Sequence, residues 1–282
     1  MSAVNEALAA PPKPKDYKSA LKPIWCPGCG DFAVLNAITK ALAHQALPPE
    51  DVALITGIGC SSRIAAYSSV YGFHGVHGRA LALAAGLKAA RPDLAVLVAG
   101  GDGDGLSIGG NHFLHACRRN QDLVYILMDN QVYGMTKGQA SPTTAADWAD
   151  SKLTPHGTGI APFQPTSLAL AAGASFVARG FSGDPNGLAK MLVEAMEHPG
   201  FAFVHVLSPC PTYRPEQMDW KKIVVPFEAP ETDDPLEAMQ RVQADDGMST
   251  GFVYRDQRPP WTPHQEDVTD TSLDGIEAAF RA

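Results

Sequence analysis

The chain has 282 residues, 45 % of them hydrophobic and 18 % charged, with a formal net charge of −8, the balance of a globular protein with one large core. No apolar run approaches the roughly 18 residues needed to span a bilayer, and no basic cluster offers a footprint for nucleic acid, so neither a membrane nor a nucleic-acid partner is expected. Met1 to Lys15 lacks an apolar export segment, which predicts a cytoplasmic protein with reduced thiols.

Residues 1–23 read as a flexible lead-in, because Pro11, Pro12, Pro14 and Pro23 interrupt any helical pattern. From Asp31, a candidate N-cap, Val34, Leu35, Ile38 and Leu42 recur at helical spacing. Val52 to Thr56 reads as a short buried strand. Leu81 to Ala90 is apolar nearly all round, which suits either a core helix or a helix packed inside an assembly. Leu94 to Ala99 and Leu123 to Met128 lack alternation, as strands buried on both faces do, and Ile108 to Arg119 can form the crossover helix between them. Phe176 to Ala178 and Phe201 to Leu207 read as later strands, separated by a helix over Pro185 to Glu197. The expected fold is therefore an open, mostly parallel α/β sheet with helices on both faces, occupying residues 24–225.

Two stretches fall outside that pattern. Gln139 to Pro165 has no period, and so long a loop in a compact domain is usually functional or covered by a partner. Residues 226–282 read as an acidic C-terminal arm that could wrap a neighbouring subunit. From Phe227 onward there are 13 acidic and 4 basic residues, which leaves 17 acidic and 18 basic elsewhere.

Chemistry concentrates at two motif sets. Gly100-Gly101-Asp102-Gly103-Asp104-Gly105 follows a predicted strand and precedes a helix, and Asn130 follows the next strand 28 residues after Asp102. Glycines there let the backbone approach a diphosphate, and the helix start offers free amides. Asp102, Asn130 and a backbone carbonyl just beyond could share Mg2+ with a phosphate, since Mg2+ takes oxygen ligands and keeps places for its substrate. A Gly-rich turn of this kind can also be merely a turn.

The second set is sulfur. Cys26 and Cys29 form a CxxC, Cys60 follows the Val52–Thr56 strand, and Cys210 stands between two prolines after the Phe201–Leu207 strand. Four thiolates on several loops fit a [4Fe-4S] cluster. Zinc is a rival, although its structural sites usually bring a second knuckle; a thioredoxin-like pair would leave Cys60 and Cys210 unexplained. Cys117 reads as an ordinary buried thiol. If the strands are parallel, Cys60 and Cys210 share a sheet edge with Asp102 and Asn130.

These motifs resemble the β subunit of 2-oxoacid:ferredoxin oxidoreductases. The similarity is carried by Trp25 to Asp31, Ile58 to Ser61, His77 to Arg79, Gly101 to Asp104 and Asn130 to Gln139, in that order, and runs from about Trp25 to Tyr213. It implies a thiamine diphosphate-binding fold in which Asp102, Asn130 and the carbonyl of Val132 hold Mg2+. Gly103, Asp104, Gly134 and Met135 would approach the cofactor, with Ile58, Gly59, Cys60, Ser61, His77, Gly78, Arg79 and Ala80 lining it. The implied reaction takes a 2-oxoacid and CoA to acyl-CoA, CO2 and reduced ferredoxin, with 2-oxoglutarate favoured over pyruvate.

Arg63 and Lys137 are the candidate cations for substrate or CoA charge. Glu50 is the one glutamate between Trp25 and Met191, and it sits in a Pro-Pro-Glu-Asp loop. Since thiamine enzymes generally use a Glu on the aminopyrimidine ring, an α or fused α/γ partner subunit is expected to supply it, with two copies of each chain. Alternatives at this stage are a pyruvate-type or other 2-oxoacid enzyme, a non-oxidative thiamine enzyme, and a non-catalytic zinc or iron-sulfur scaffold.

Overall fold

The computed structural model describes residues 11–149, 151–263 and 272–281. In chain order the described helices are α1 (Asp31–His44), α2 (Ala80–Ala90), α3 (Asp102–Leu106), α4 (Gly110–Arg119), α5 (Pro165–Ala171), α6 (Pro185–Glu197), α7 (Trp220–Ile223), α8 (Pro235–Ala244) and α9 (Leu273–Arg281). The strands are β1 (Val52–Thr56), β2 (Tyr71–His74), β3 (Ala95–Gly101), β4 (Leu123–Asp129), β5 (Phe176–Phe181), β6 (Phe201–Leu207), β7 (Val225–Pro226) and β8 (Ser249–Arg255).

They form one sheet in the order β2-β1-β3-β4-β6-β5-β8-β7, and pairing is parallel from β2 through β5. β8 alone turns antiparallel, against β5, and β7 then pairs parallel with β8. The expected open, mostly parallel sheet is observed. Its central strands β4 and β6 are buried at every residue, which is why their sequences run apolar without alternation. α1 and α6 cover one face, packing Val34, Ile38, Leu42 and Leu192 against Leu54, Leu97 and Ile126. On the other face α2, α4, α5 and α8 meet Phe113, Tyr125, Phe201 and Phe203.

The differences from the expected elements have local causes. Asp31 is the first residue of α1 rather than its N-cap, a place taken by Gly30, because its carboxylate turns inward to accept from the Ser208 hydroxyl at 2.9 Å. α4 starts at Gly110, since Asp102–Leu106 coils separately into α3 straight after β3. β2 is an edge strand with every residue exposed, so no burial pattern marks it. α2 buries only Ala80, Leu81 and Ala84, leaving Leu83 outward at 38 % exposure.

In the N-terminal stretch, residues 1–10 lie outside the described residues, and Tyr17 is fully buried with its hydroxyl donating to the Leu42 carbonyl. Residues 226–263 supply α8 and β8, which pack on α5 and β5. Glu50 lies in a one-turn helix at the amino end of β1. Among the described residues no helix is long and apolar enough to cross a membrane.

Candidate active site at the carboxyl ends of the strands

Parallel register decides which loops meet. Gly101 pairs with Met128, which sets Asp102 beside Asp129 just past the pairing, and Asp129 pairs with Leu207 at the end of β6. The turns after β1, β3, β4 and β6 therefore rise from one edge of the sheet. Those after β1, β3 and β4 line an open cleft that includes Cys60, Asp102, Gly103, Asn130, Val132 and Gly134. Ile58, Gly59, Ser61, His77, Asp104 and Met135 line it as well, together with Tyr133 and Thr136, which the sequence did not single out.

The glycine turn and the end of β1 are packed so closely that neither Gly103 nor Gly57 admits a side chain. A Cβ on Gly103 would stand 2.2 Å from the Tyr133 ring, and one on Gly57 would stand 2.0 Å from the Asp104 carboxylate. Asp104 uses that closeness. Its Oδ1 accepts from the backbone amides of Ile58 at 3.0 Å and Gly78 at 2.8 Å, and it lies 2.9 Å from His77 Nδ1, which is not aligned as a hydrogen bond. The carboxylate thus clamps the β1 turn to the loop before α2. Burial still pushes it above the usual carboxylate range, with the two amides opposing.

Asp102 is 2 % exposed and shares a hydroxyl with Asp129: Thr143 Oγ1 lies 2.8 Å from Asp102 Oδ2 and 2.8 Å from Asp129 Oδ1. One hydroxyl proton can serve only one of these oxygens. Burial first, then the Asp129 charge, raises Asp102 to about 7. Asp129 Oδ2 accepts from His205 Nε2 at 2.9 Å, and His205 Nδ1 faces Arg179 Nε at 3.4 Å. That assigns a neutral imidazole protonated on Nε2, placed by its two partners. A divalent cation beside Asp102 would relieve the crowded negative charge; Asn130 and Val132 line the same cleft, with Asn130 Oδ1 accepting from the Val132 N–H at 3.1 Å, and these oxygen-bearing residues fit Mg2+. The glycine-walled, cation-ready cleft fits a diphosphate in the same way.

The four cysteines gather behind Gly134. A Cβ on that glycine would stand 3.7 Å from Cys60 Sγ and 4.0 Å from Cys210 Sγ. Cys29 N–H donates to Cys26 O at 3.0 Å, Gly30 N–H to Pro209 O at 3.1 Å, and Trp25 Nε1–H to Cys60 O at 2.8 Å. The CxxC turn is thus bound to both other cysteine loops. Burial, with the Asp31 carboxylate second, pushes the Cys29 thiol far up and Cys60 up to about 11, and burial also raises Cys210. Asp31 itself, raised to about 6 by burial, keeps one buried oxygen without a partner.

Among the described residues no three His, Cys, Asp or Glu side chains converge on a single point as ligands of one ion would. A [4Fe-4S] cluster would bind each thiolate to a different iron, so its ligands would not converge on one point. Cys117 is buried in the core away from this group, its thiol raised by burial.

Gly78, Arg79, Ala80, Arg63 and Lys137 do not line the cleft. Arg79 reaches the Ile108 carbonyl at 3.3 Å, Arg63 Nε donates to Tyr67 Oη at 3.0 Å, and Lys137 is exposed in the left-handed region at φ 75°. The residues that sequence reasoning missed are Thr143, Asp129, His205, Arg214 and Gln217. Thr143 comes from the aperiodic 139–165 loop, which also buries Ser141, Thr144 and Trp148. Among the described residues no glutamate lines the cleft.

Residues 57–206 match the family described as thiamine pyrophosphate enzyme, C-terminal TPP binding domain. A 2-oxoglutarate oxidoreductase subunit KorB of Mycobacterium tuberculosis is 49 % identical over 209 residues, covering 74 % of this chain and 56 % of its own length. The 2-oxoglutarate synthase subunit KorB of Archaeoglobus fulgidus is 46 % identical over 194 residues, covering 69 % and 72 %. In three dimensions the chain superposes on 2-oxoglutarate:ferredoxin oxidoreductase from Magnetococcus marinus, solved with 2-oxoglutarate, coenzyme A and succinyl-CoA bound. There the TM-score is 0.85 at 42 % identity, over 96 % of this chain and 90 % of that one. The match spans little more than half the length of the tuberculosis relative.

Proposed function

The chain belongs to the β-subunit family of the 2-oxoacid:ferredoxin oxidoreductases, and from that premise we propose that it is the thiamine diphosphate-binding half of a CoA-acylating 2-oxoglutarate:ferredoxin oxidoreductase. The observation that carries this reading is that Cys60 and Gly134 line the same cleft as Asp102 and Asn130, and a Cβ on Gly134 would touch both the Cys60 and the Cys210 sulfur. Bound there, thiamine diphosphate supplies an electron sink for the decarboxylated carbon and a [4Fe-4S] cluster accepts single electrons. A non-oxidative thiamine enzyme has no use for a thiolate set at that distance.

In this reading Asp102, Asn130 and the Val132 carbonyl hold Mg2+ on the diphosphate, and Thr143 with Asp129 keeps Asp102 oriented. Gly59, Gly103 and Gly134 let the backbone close on the cofactor, while Asp104 fixes the Ile58 and His77 loops as its walls. Cys26, Cys29, Cys60 and Cys210 hold the cluster, with each thiol losing its proton on ligation. Arg63, three residues beyond Cys60, meets the distal carboxylate of the oxoacid, and Lys137 offers its charge to CoA at the rim.

Because no glutamate among the described residues lines the cleft, a partner subunit brings the Glu that engages the aminopyrimidine ring, in an assembly with two copies of each chain. Free thiols suit a reducing cytoplasm. The test is co-purification with the partner, followed by iron, acid-labile sulfide and thiamine diphosphate analysis and a screen of 2-oxoacids with CoA and a viologen dye. Fastest reduction with 2-oxoglutarate is expected. A colourless complex without sulfide, or full turnover by this chain alone, refutes the reading.

A further inference from the structure

Gln217 lies outside the stretch that carries the family motifs, yet its carboxamide spans both loop systems. The backbone N–H of Cys210 donates to Gln217 Oε1 at 2.9 Å, and Gln217 Nε2 donates to the Asn130 carbonyl at 2.8 Å. The side chain is 1 % exposed. Its orientation is determined by its partners, since one is a donor only and the other an acceptor only, so exchanging the amide oxygen and nitrogen would break both bonds.

The scaffold around Gln217 is equally tied to both sides. Its own N–H donates to Arg214 O at 3.0 Å, and Arg214 N–H donates to Cys210 O at 3.0 Å. The Arg214 guanidinium, stacked 4.6 Å over the Trp148 ring, donates from Nη1 to the Gln131 carbonyl at 2.9 Å. Gln131 holds a left-handed backbone at φ 55°, a strained conformation for a non-glycine residue that persists only when its surroundings impose it. β4 and β6 end side by side at Asp129 and Leu207, and Gln217 links the loops that follow them, one at Asn130 and the other at Cys210.

We propose that Gln217 is a positioning residue that sets the separation between the cysteine loop at Cys210 and the metal-binding loop at Asn130. The proposal rests on the functional reading above, in which both loops carry a centre. Electron transfer weakens steeply with separation, so a brace between the two ligand loops acts on the one distance the reaction depends on.

The assembled complex carrying Q217E tests it. When ionised, glutamate keeps an oxygen for the Cys210 amide but replaces the donor to Asn130 with a second acceptor, so the binding is measured at alkaline as well as neutral pH to remove the carboxyl proton that would otherwise restore the bond. The iron and sulfide content and the low-temperature spin-resonance spectrum of the reduced cluster should match the parent. The Mg2+ concentration for half-maximal thiamine diphosphate binding should rise about tenfold, the usual scale of a lost buried hydrogen bond with its partner unsatisfied.

If Q217E fails to assemble, Q217N replaces it. Its shorter carboxamide cannot span both loops, so iron content or Mg2+ affinity should fall with an unchanged circular dichroism spectrum. Parental Mg2+ dependence in Q217E, or parallel loss of iron and cofactor in either variant, overturns the proposal. A parent complex lacking iron or thiamine diphosphate sinks the functional reading and this proposal with it, whereas a fully loaded parent beside an unresponsive Q217E sinks the proposal alone.

Discussion

Around the four cysteines the bonds run largely to and between main-chain groups: Cys29 to Cys26, Gly30 to Pro209, the Trp25 indole to the Cys60 carbonyl, and the Cys210 amide to Gln217. Around Asp102 and Asn130 the chain is shaped by buried side chains drawn from distant segments, with Thr143, His205, Arg214 and Gln217 each contributing hydrogen bonds. The contrast follows from charge. A neutral thiol in an apolar loop needs little compensation, whereas a pair of buried carboxylates must be hydrogen-bonded or neutralised. Thiolate loops can therefore be written as short local motifs, while a carboxylate loop needs help from across the fold.

Each side can be broken separately. The largest effects should come from Asp102→Ala and Cys60→Ser in the assembled complex. Asp102→Ala should weaken Mg2+-dependent thiamine diphosphate binding about 100-fold or more, since even outer partners of a metal are worth ten- to a hundredfold, and should leave the iron content at the parental level. Cys60→Ser should lose iron and retain the cofactor. Metal analysis and cofactor titration read both, and loss of both contents in either variant would show that the two regions are not independent.

Thr143→Val keeps the shape and removes the shared hydroxyl. Mg2+ affinity should fall about tenfold, measured by calorimetry; an unchanged affinity would mean that the Asp102–Asp129 pair needs no bridge. Arg63→Met should raise the Michaelis constant for 2-oxoglutarate about tenfold, the scale of a lost charged hydrogen bond, with little change for pyruvate, and equal changes would remove the assignment.

The smallest effect belongs to a site remote from both loops. His198 Nε2 lies 2.7 Å from Ser175 Oγ, and burial lowers its pKa from 6.5 to about 4. With the folded value depressed, its contribution is present above pH 6.5 and is lost as pH falls toward about 4. His198→Gln should flatten the melting temperature across that window without altering iron or cofactor content, and an unchanged slope would discount the residue.

The comparison also explains what could be read in advance. β1, β3, β4 and β6 were legible because strands buried on both faces are continuously apolar, and α6 because its pattern and proline start are strong. β2 was not, since an edge strand with Tyr71 and Phe73 exposed obeys no burial period. β8 was hidden in an acidic, proline-rich segment whose Ser249 to Arg255 pattern makes sense only against β5. The site divided in the same way. Asp102, Asn130 and the cysteines announce themselves by spacing, and the structure gathers them at one edge. Asp129 could have been noticed as the acid preceding Asn130 at a strand end, but a single Thr143 in an aperiodic loop, or Gln217 in a polar turn, carries no signal until the chain is folded.

The antiparallel strand β8 has a consequence for biosynthesis. Its partner β5 is translated about seventy residues earlier, and the 4 %-exposed Arg179 on β5 ion-pairs with Asp245 and donates to the Ser249 carbonyl at 3.0 Å. Until those residues leave the ribosome, the nascent sheet presents a naked flank with a guanidinium facing apolar surroundings, the kind of edge on which chains stick to one another. Chaperone dependence should therefore peak while β5 is already complete and β8 is still in the exit tunnel.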